Sequence, residues 1–112
     1  MVEAYTPDRG DIVWFNFSPH VGHEQAEMRP ALVVSPISYN LRSGMMLACP
    51  ITSKVKGYPF EVRIQANKID GVILADQVKN VDWRERKAEF GGVADIEAIS
   101  KTQALVENLV SG

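Results

Sequence analysis

The residues best suited to chemistry crowd the stretch GHEQAEMRPALVV (22–34). There His23, Glu24, Glu27 and Arg29 fall within eight positions and lead directly into an apolar run. A carboxylate or an imidazole can accept a proton. A guanidinium is permanently charged and planar, and can grip two phosphate oxygens at once. Other polar groups sit at the ends of apolar runs: Thr52 closes MMLACPIT, and Asp76 and Gln77 follow GVILA. Strand alternation turns Thr52 away from Leu47, Cys49 and Ile51, so its hydroxyl looks outward if those three line the core. Three strand ends that each stop on a polar residue can meet on one face of a small sheet. Singly, each has an ordinary structural explanation, since an arginine before proline is commonly a solvated edge residue and a threonine commonly just a strand residue.

Other chemistries find no support. His20 and His23 are three apart, but CxxC, HExxH and the carboxylate–glycine calcium loop are all absent, so no metal is expected. The phosphate-loop and dinucleotide fingerprints and the serine-hydrolase elbow are missing too, and no cofactor is expected. The single cysteine, Cys49, cannot form an intramolecular disulfide and reads as a small buried hydrophobe in a reducing compartment. No apolar stretch approaches the ~20 residues of a membrane helix, and no signal peptide is recognised, so no membrane association and a cytoplasmic location are expected. A net charge of −2 and a pI near 5.6 argue against binding nucleic acid through global positive charge. The cations are nonetheless concentrated in mid-chain, in TSKVKGYP and QVKNVDWRERK.

The elements that must position these groups are mostly strands. At 112 residues, the chain is expected to be one domain able to bury roughly 65% of its unfolded surface. Strands are predicted at 11–17, 29–36, 45–52, 60–65, 71–78 and 81–83, with 37–44 a loop or a single helical turn. In 60–65 the alternation of Phe60, Val62 and Ile64 with Glu61, Arg63 and Gln65 leaves one face wet. Only the end reads as a helix. Asp95 is its expected N-cap, and Ile96, Ile99, Val106, Leu109 and Val110 form the expected core stripe, with Gln103 as a gap. The fold class is therefore α+β, a small barrel or curled sheet with a C-terminal α-helix.

Four stretches in register carry a resemblance. GDIVWFNFSP (10–19), GHEQAEMRPALVVSP (22–36), KGYPFEV (56–62) and DGVILADQVK (70–79) resemble the MazF/PemK (Kid) toxin family, most closely its MazF branch, and the similarity spans roughly residues 5 to 110. It implies an SH3-like β-barrel with a C-terminal α-helix, a single toxin domain over 1–112. It also implies a toxin of a toxin–antitoxin system: a metal-independent, sequence-specific endoribonuclease (an mRNA interferase) that cuts single-stranded RNA and arrests growth. The implied partners are a second copy of the chain, as a homodimer, and a cognate antitoxin with an acidic, partly disordered segment. Carried over by position, Glu24, Arg29 and Thr52 match the catalytic motif, while His23, Gln25, Ser53, Lys54, Lys56, Asp76, Gln77 and Lys79 fall at RNA-binding positions. Two residues depart from the pattern: Glu27 stands where the family usually has glycine, and Leu74 where the Kid branch has an arginine. The barrel also resembles the CcdB gyrase poisons, but those end on a tryptophan-glycine-isoleucine tail and this chain ends ENLVSG. A catalytically silent RNA- or antitoxin-binding relative is the other alternative.

For metal-free cleavage the substrate's 2′-hydroxyl is the nucleophile, and Arg29 suits neutralisation of the phosphorus oxygens. The general base is open between Glu24, ordinarily near pKa 4.3, and His23, near about 6.5 and better matched to neutral pH. The resemblance favours Glu24.

Overall fold

The structure, a computed structural model, describes residues 4–16 and 28–112. The described strands are β1 (Asp11–Asn16), β2 (Met28–Val33), β3 (Met45–Thr52), β4 (Glu61–Ala66), β5 (Ile69–Leu74), β6 (Lys79–Asp82) and β7 (Glu89–Val93). Two α-helices accompany them, α1 (Ile37–Ser43) and α2 (Ile96–Ser111), with a 3-10 turn at Ala75–Gln77. The strands pair antiparallel in the order β4-β5-β3-β2-β1-β7, with β6 added on β3.

The eight-residue β3 organises this sheet. One edge pairs with β2 through Ala48–Pro50. The other edge is divided: Met45–Ala48 take β6, and Ile51–Thr52 take β5. The division sends the two partners off as separate wings and curls the sheet into a barrel-like shape. Both faces of the central strands are buried, which is why their sequences read as unbroken apolar runs. Ile12, Leu32, Cys49, Ile51, Val62, Ile64 and Ile73 pack on one side with Ala98 of α2. Val13, Phe15, Ala31, Val33, Met46, Ala48, Val81 and Trp83 pack on the other. Leu47 departs from the expected core trio: it is exposed, while its neighbours Met46 and Ala48 belong to the second cluster.

Several boundaries differ from expectation. The segment 37–44 is a helix of seven residues, ended by Gly44 in the left-handed conformation (φ 73°), whose N–H donates to the Asn40 carbonyl. It shows no apolar stripe because its buried residue is the polar Asn40. That side chain is a hub. Its Nδ2 donates to the Pro7 and Ser35 carbonyls (2.8 and 3.1 Å), and its Oδ1 accepts from Ser35 Oγ (2.6 Å). Its carbonyl accepts from the Trp83 indole N–H at 2.9 Å. Asp76 and Gln77 lie on the 3-10 turn rather than on a strand running to residue 78.

Strand β7 was not anticipated, because two adjacent glycines argue against a strand. They mark close approaches instead. A Cβ on Gly91 would lie 2.7 Å from Trp14, and one on Gly92 (φ 137°) would lie 2.6 Å from Asn67. The pairing with β1 shifts register between Ile12 and Val13, a bulge at these glycines.

Helix α2 starts as expected, with the Asp95 carboxylate accepting from Ala98 N–H at 3.1 Å. Its buried face is not the expected one. Ala98 and Thr102 are buried, Ile99, Leu105 and Val106 partly so, and Ile96 (81% exposed), Leu109 and Val110 face outward. Small side chains at 98 and 102 let the helix settle close to the sheet. The Thr102 hydroxyl is satisfied by the Ala98 carbonyl at 2.8 Å, which makes its burial tolerable.

Because Asn40 ties four chain segments together in a buried setting, Asn40→Ala should cost about 3 kcal/mol through the groups it orphans. Urea unfolding of the variant against wild type measures this.

Candidate active site

The β2–β3 ladder runs Val33↔Ala48, Leu32↔Cys49, Ala31↔Pro50 and stops. Pro30 and Pro50 lack the N–H that would continue it. Carried two residues further, the same register sets Arg29 opposite Thr52, where the strands are no longer bonded. Arg29 remains fixed from its other side, paired with Phe15 of β1.

Two grooves open at this gap. The first, about 280 Å³, is lined among others by Arg29, Thr52, Lys54, Lys56, Tyr58 and Asp76. The second, about 510 Å³, is lined among others by Trp14, Arg29, Thr52, Lys54, Lys68 and Asp70. Arg29, Thr52 and Lys54 line both, so they form the ridge between the grooves.

Local chemistry holds this ridge in shape. Thr52 Oγ1 accepts from the Lys54 N–H (3.1 Å), leaving its own hydroxyl proton for another acceptor. The loop beyond has no ladder of its own. Its backbone N–H groups at Lys56 and Gly57 are taken by the Glu61 carboxylate (2.9–3.2 Å), which bends the two lysines around the first groove. Beneath the ridge, β5 presses on the Thr52 backbone at Gly71, where an added Cβ would stand 2.1 Å from the Thr52 carbonyl oxygen. Cys49, one turn of the pleat below, is buried. Burial first, and the Asp76 charge second, push its thiol up to about 12, so it stays protonated and chemically quiet.

Of the sequence-predicted site residues, the structure gathers Arg29, Thr52, Lys54, Lys56, Asp76 and Gln77 around the first groove. Ser53 lines the second. Lys79 begins β6 opposite Ala48 and lines neither groove. His23, Glu24 and Gln25 lie outside the described residues, as does Glu27. Leu74, the other departure from the family pattern, lines the first groove as an apolar wall. Sequence reasoning missed Glu61, Tyr58, Trp14, Lys68 and Asp70. The turn signal of Gly57 (φ 80°) and Pro59 could have flagged Glu61 as the group that ties it. The others needed the topology.

Fold and grooves together define a class: a small curled-sheet protein with a cationic, aromatic-lined cleft suited to an anionic chain. The family model of the PemK-like, MazF-like toxins of type II toxin–antitoxin systems matches residues 8–110. The chain is 46% identical over 110 residues to the endoribonuclease toxin MazF of Escherichia coli K12, covering 98% of this chain and 99% of that one. Its structure is similar to the crystal structure of MazF from Deinococcus radiodurans, with a TM-score of 0.85, 45% identity and coverage of 97% and 100%. It is equally similar to the MazE–MazF structure from the same organism, with a TM-score of 0.85, 42% identity and coverage of 96% and 97%. The chain belongs to the PemK-like, MazF-like toxin family, its enzyme class is endoribonuclease, and its partner class is an antitoxin.

Gly71→Ala should destabilise the fold by about 2 kcal/mol, since its methyl can be housed only by moving the Thr52 backbone. Thermal unfolding gives the stability loss, and amide exchange at Ser53 and Lys54 should rise with it.

Proposed function

We propose that the ridge grips the scissile phosphate of single-stranded RNA and that the chain is a metal-independent, sequence-specific ribonuclease acting in the cytoplasm, its toxin domain spanning 1–112. The observation that carries this reading is that Arg29, Thr52 and Lys54 come from two strand ends to line one ridge. The Arg29 guanidinium neutralises charge building on the phosphorus oxygens. Thr52 donates its hydroxyl proton to one of those oxygens. Glu24, placed by family correspondence, takes the proton from the 2′-oxygen. That oxygen bonds to phosphorus while the bond to the 5′-oxygen breaks, and the departing oxygen is protonated. The products are a 2′,3′-cyclic phosphate and a 5′-hydroxyl.

Lys54 and Lys56 hold neighbouring phosphates, which makes binding weaken with salt. Bases splayed into the grooves supply selectivity, which requires unpaired substrate. Loss of messenger RNA then stops translation and growth. His23, Gln25, Ser53, Asp76, Gln77 and Lys79 complete the RNA contacts in this proposal. The chain works as a homodimer. The antitoxin silences it by laying an acidic, partly disordered segment into the cationic cleft.

In excess chelator, wild type should cut a single-stranded RNA into discrete fragments seen by primer extension and leave its duplex form intact. Arg29→Ala should lose on the order of 10²–10³ in kcat. A folded Arg29→Ala variant of undiminished activity would remove that residue from the mechanism. For the base, Glu24→Ala should abolish activity at all pH values, while His23→Ala keeps the pH–rate profile of wild type. Loss in His23→Ala of a limb near about 6.5 would transfer the role to the imidazole.

A further inference from the structure

The ridge and the first groove carry the roles proposed above, and the larger second groove has none. Its far wall is the tip of the β4–β5 hairpin, Lys68 to Asp70, and its floor includes the partly buried Trp14. That wall is held in place. Asn67, at the hairpin turn with φ 53°, donates from Nδ2 to the Gly91 carbonyl at 2.8 Å, pinning the tip to β7. The missing side chain of Gly91 makes room for the indole on the strand, and that of Gly92 makes room for Asn67. At the lip, Asp70 accepts from Arg63 Nη2 at 2.9 Å. An aromatic floor, an ammonium donor and a carboxylate acceptor thus share one rigid cleft beside the phosphate-gripping ridge.

We propose that this groove is a nucleobase subsite. It holds the unpaired base on one side of the scissile phosphate against Trp14, with Lys68 and Asp70 reading the base edge. The proposal rests on the ribonuclease reading of the ridge and deepens it. Attack by a 2′-oxygen requires that oxygen, phosphorus and the leaving 5′-oxygen to lie near one line, which a continuously stacked strand does not offer. Drawing the two flanking bases into grooves on opposite sides of the phosphate straightens that geometry, so base reading and alignment for attack become one event.

The test separates binding from cutting. Once a cut bond has been mapped, the probe is a short single-stranded RNA spanning it, 2′-O-methylated at the attacking oxygen. It is prepared intact and with an abasic residue on either side of the cut. Wild type should lose on the order of tenfold in affinity when one particular flanking base is removed. The double variant Lys68→Ala/Asp70→Asn, changed only at exposed positions, and Trp14→Leu should lose most of that discrimination. In a Trp83→Phe background, binding of the intact probe should quench the remaining indole, Trp14. Unchanged discrimination in the exposed double variant, or unaltered Trp14 emission at saturation, would overturn the subsite. Failure of wild type to cut the unmethylated RNA would instead sink the ribonuclease reading, whatever the binding pattern.

Discussion

Two prolines decide where this sheet stops being a sheet. Up to Ala31↔Pro50 the central strands β2 and β3 are bonded and buried on both faces. Beyond that point neither Pro30 nor Pro50 can donate to a ladder, so the strands are free to part. Arg29 and Thr52 stand one residue and two residues past these prolines on strands anchored by the most buried part of the protein. The cleft is therefore a controlled opening in a rigid wall. Its position follows from the strand pairing and needs no flexible loop to create it.

An opening of this kind leaves backbone groups without strand partners, and side chains take them up. Thr52 accepts the Lys54 N–H, and Glu61 accepts those of Lys56 and Gly57. These short bonds fix the lysine-bearing loop without a ladder. They also place a carboxylate behind the loop, where it counters the mutual repulsion of the two ammonium groups. The same economy operates on the other side of the sheet. There Asn40 satisfies groups from the N-terminal segment, the exit of β2 and the residue after β6. In both places one polar side chain stands in for a missing stretch of regular structure.

The strands around the opening were legible because burial on two faces writes itself as continuous apolar runs, as in PALVV and MMLACPI. Family correspondence then pointed to Arg29, Thr52 and the two lysines of the loop. What could not be read had specific causes. Helix α1 turns a polar residue inward, so it carries no stripe. Strand β7 contains adjacent glycines whose purpose is tertiary, to admit Trp14 and Asn67. The α2 stripe was misassigned because large apolar residues were preferred over Ala98 and Thr102, whose small size permits close packing. The second groove was invisible because it joins β1, β2, β3 and the β4–β5 hairpin, residues 14 to 70, and no local pattern spans that distance.

A net charge of −2 does not contradict a site for RNA, because charge acts locally at physiological salt. The Debye length is about 8 Å at 0.15 M, short against the 39 × 30 × 26 Å extent of the protein. The carboxylates of α2, such as Glu97 and Glu107, are screened from a cleft at the far ends of β2 and β3. An approaching polyanion meets the field of Arg29, Lys54, Lys56 and Lys68 only once it is close. Attraction in such a protein is a property of the cleft and not of the molecule, so it contributes little to long-range steering. What it does set is register: a phosphate settles where these cations converge, and the flanking bases are left facing the two grooves.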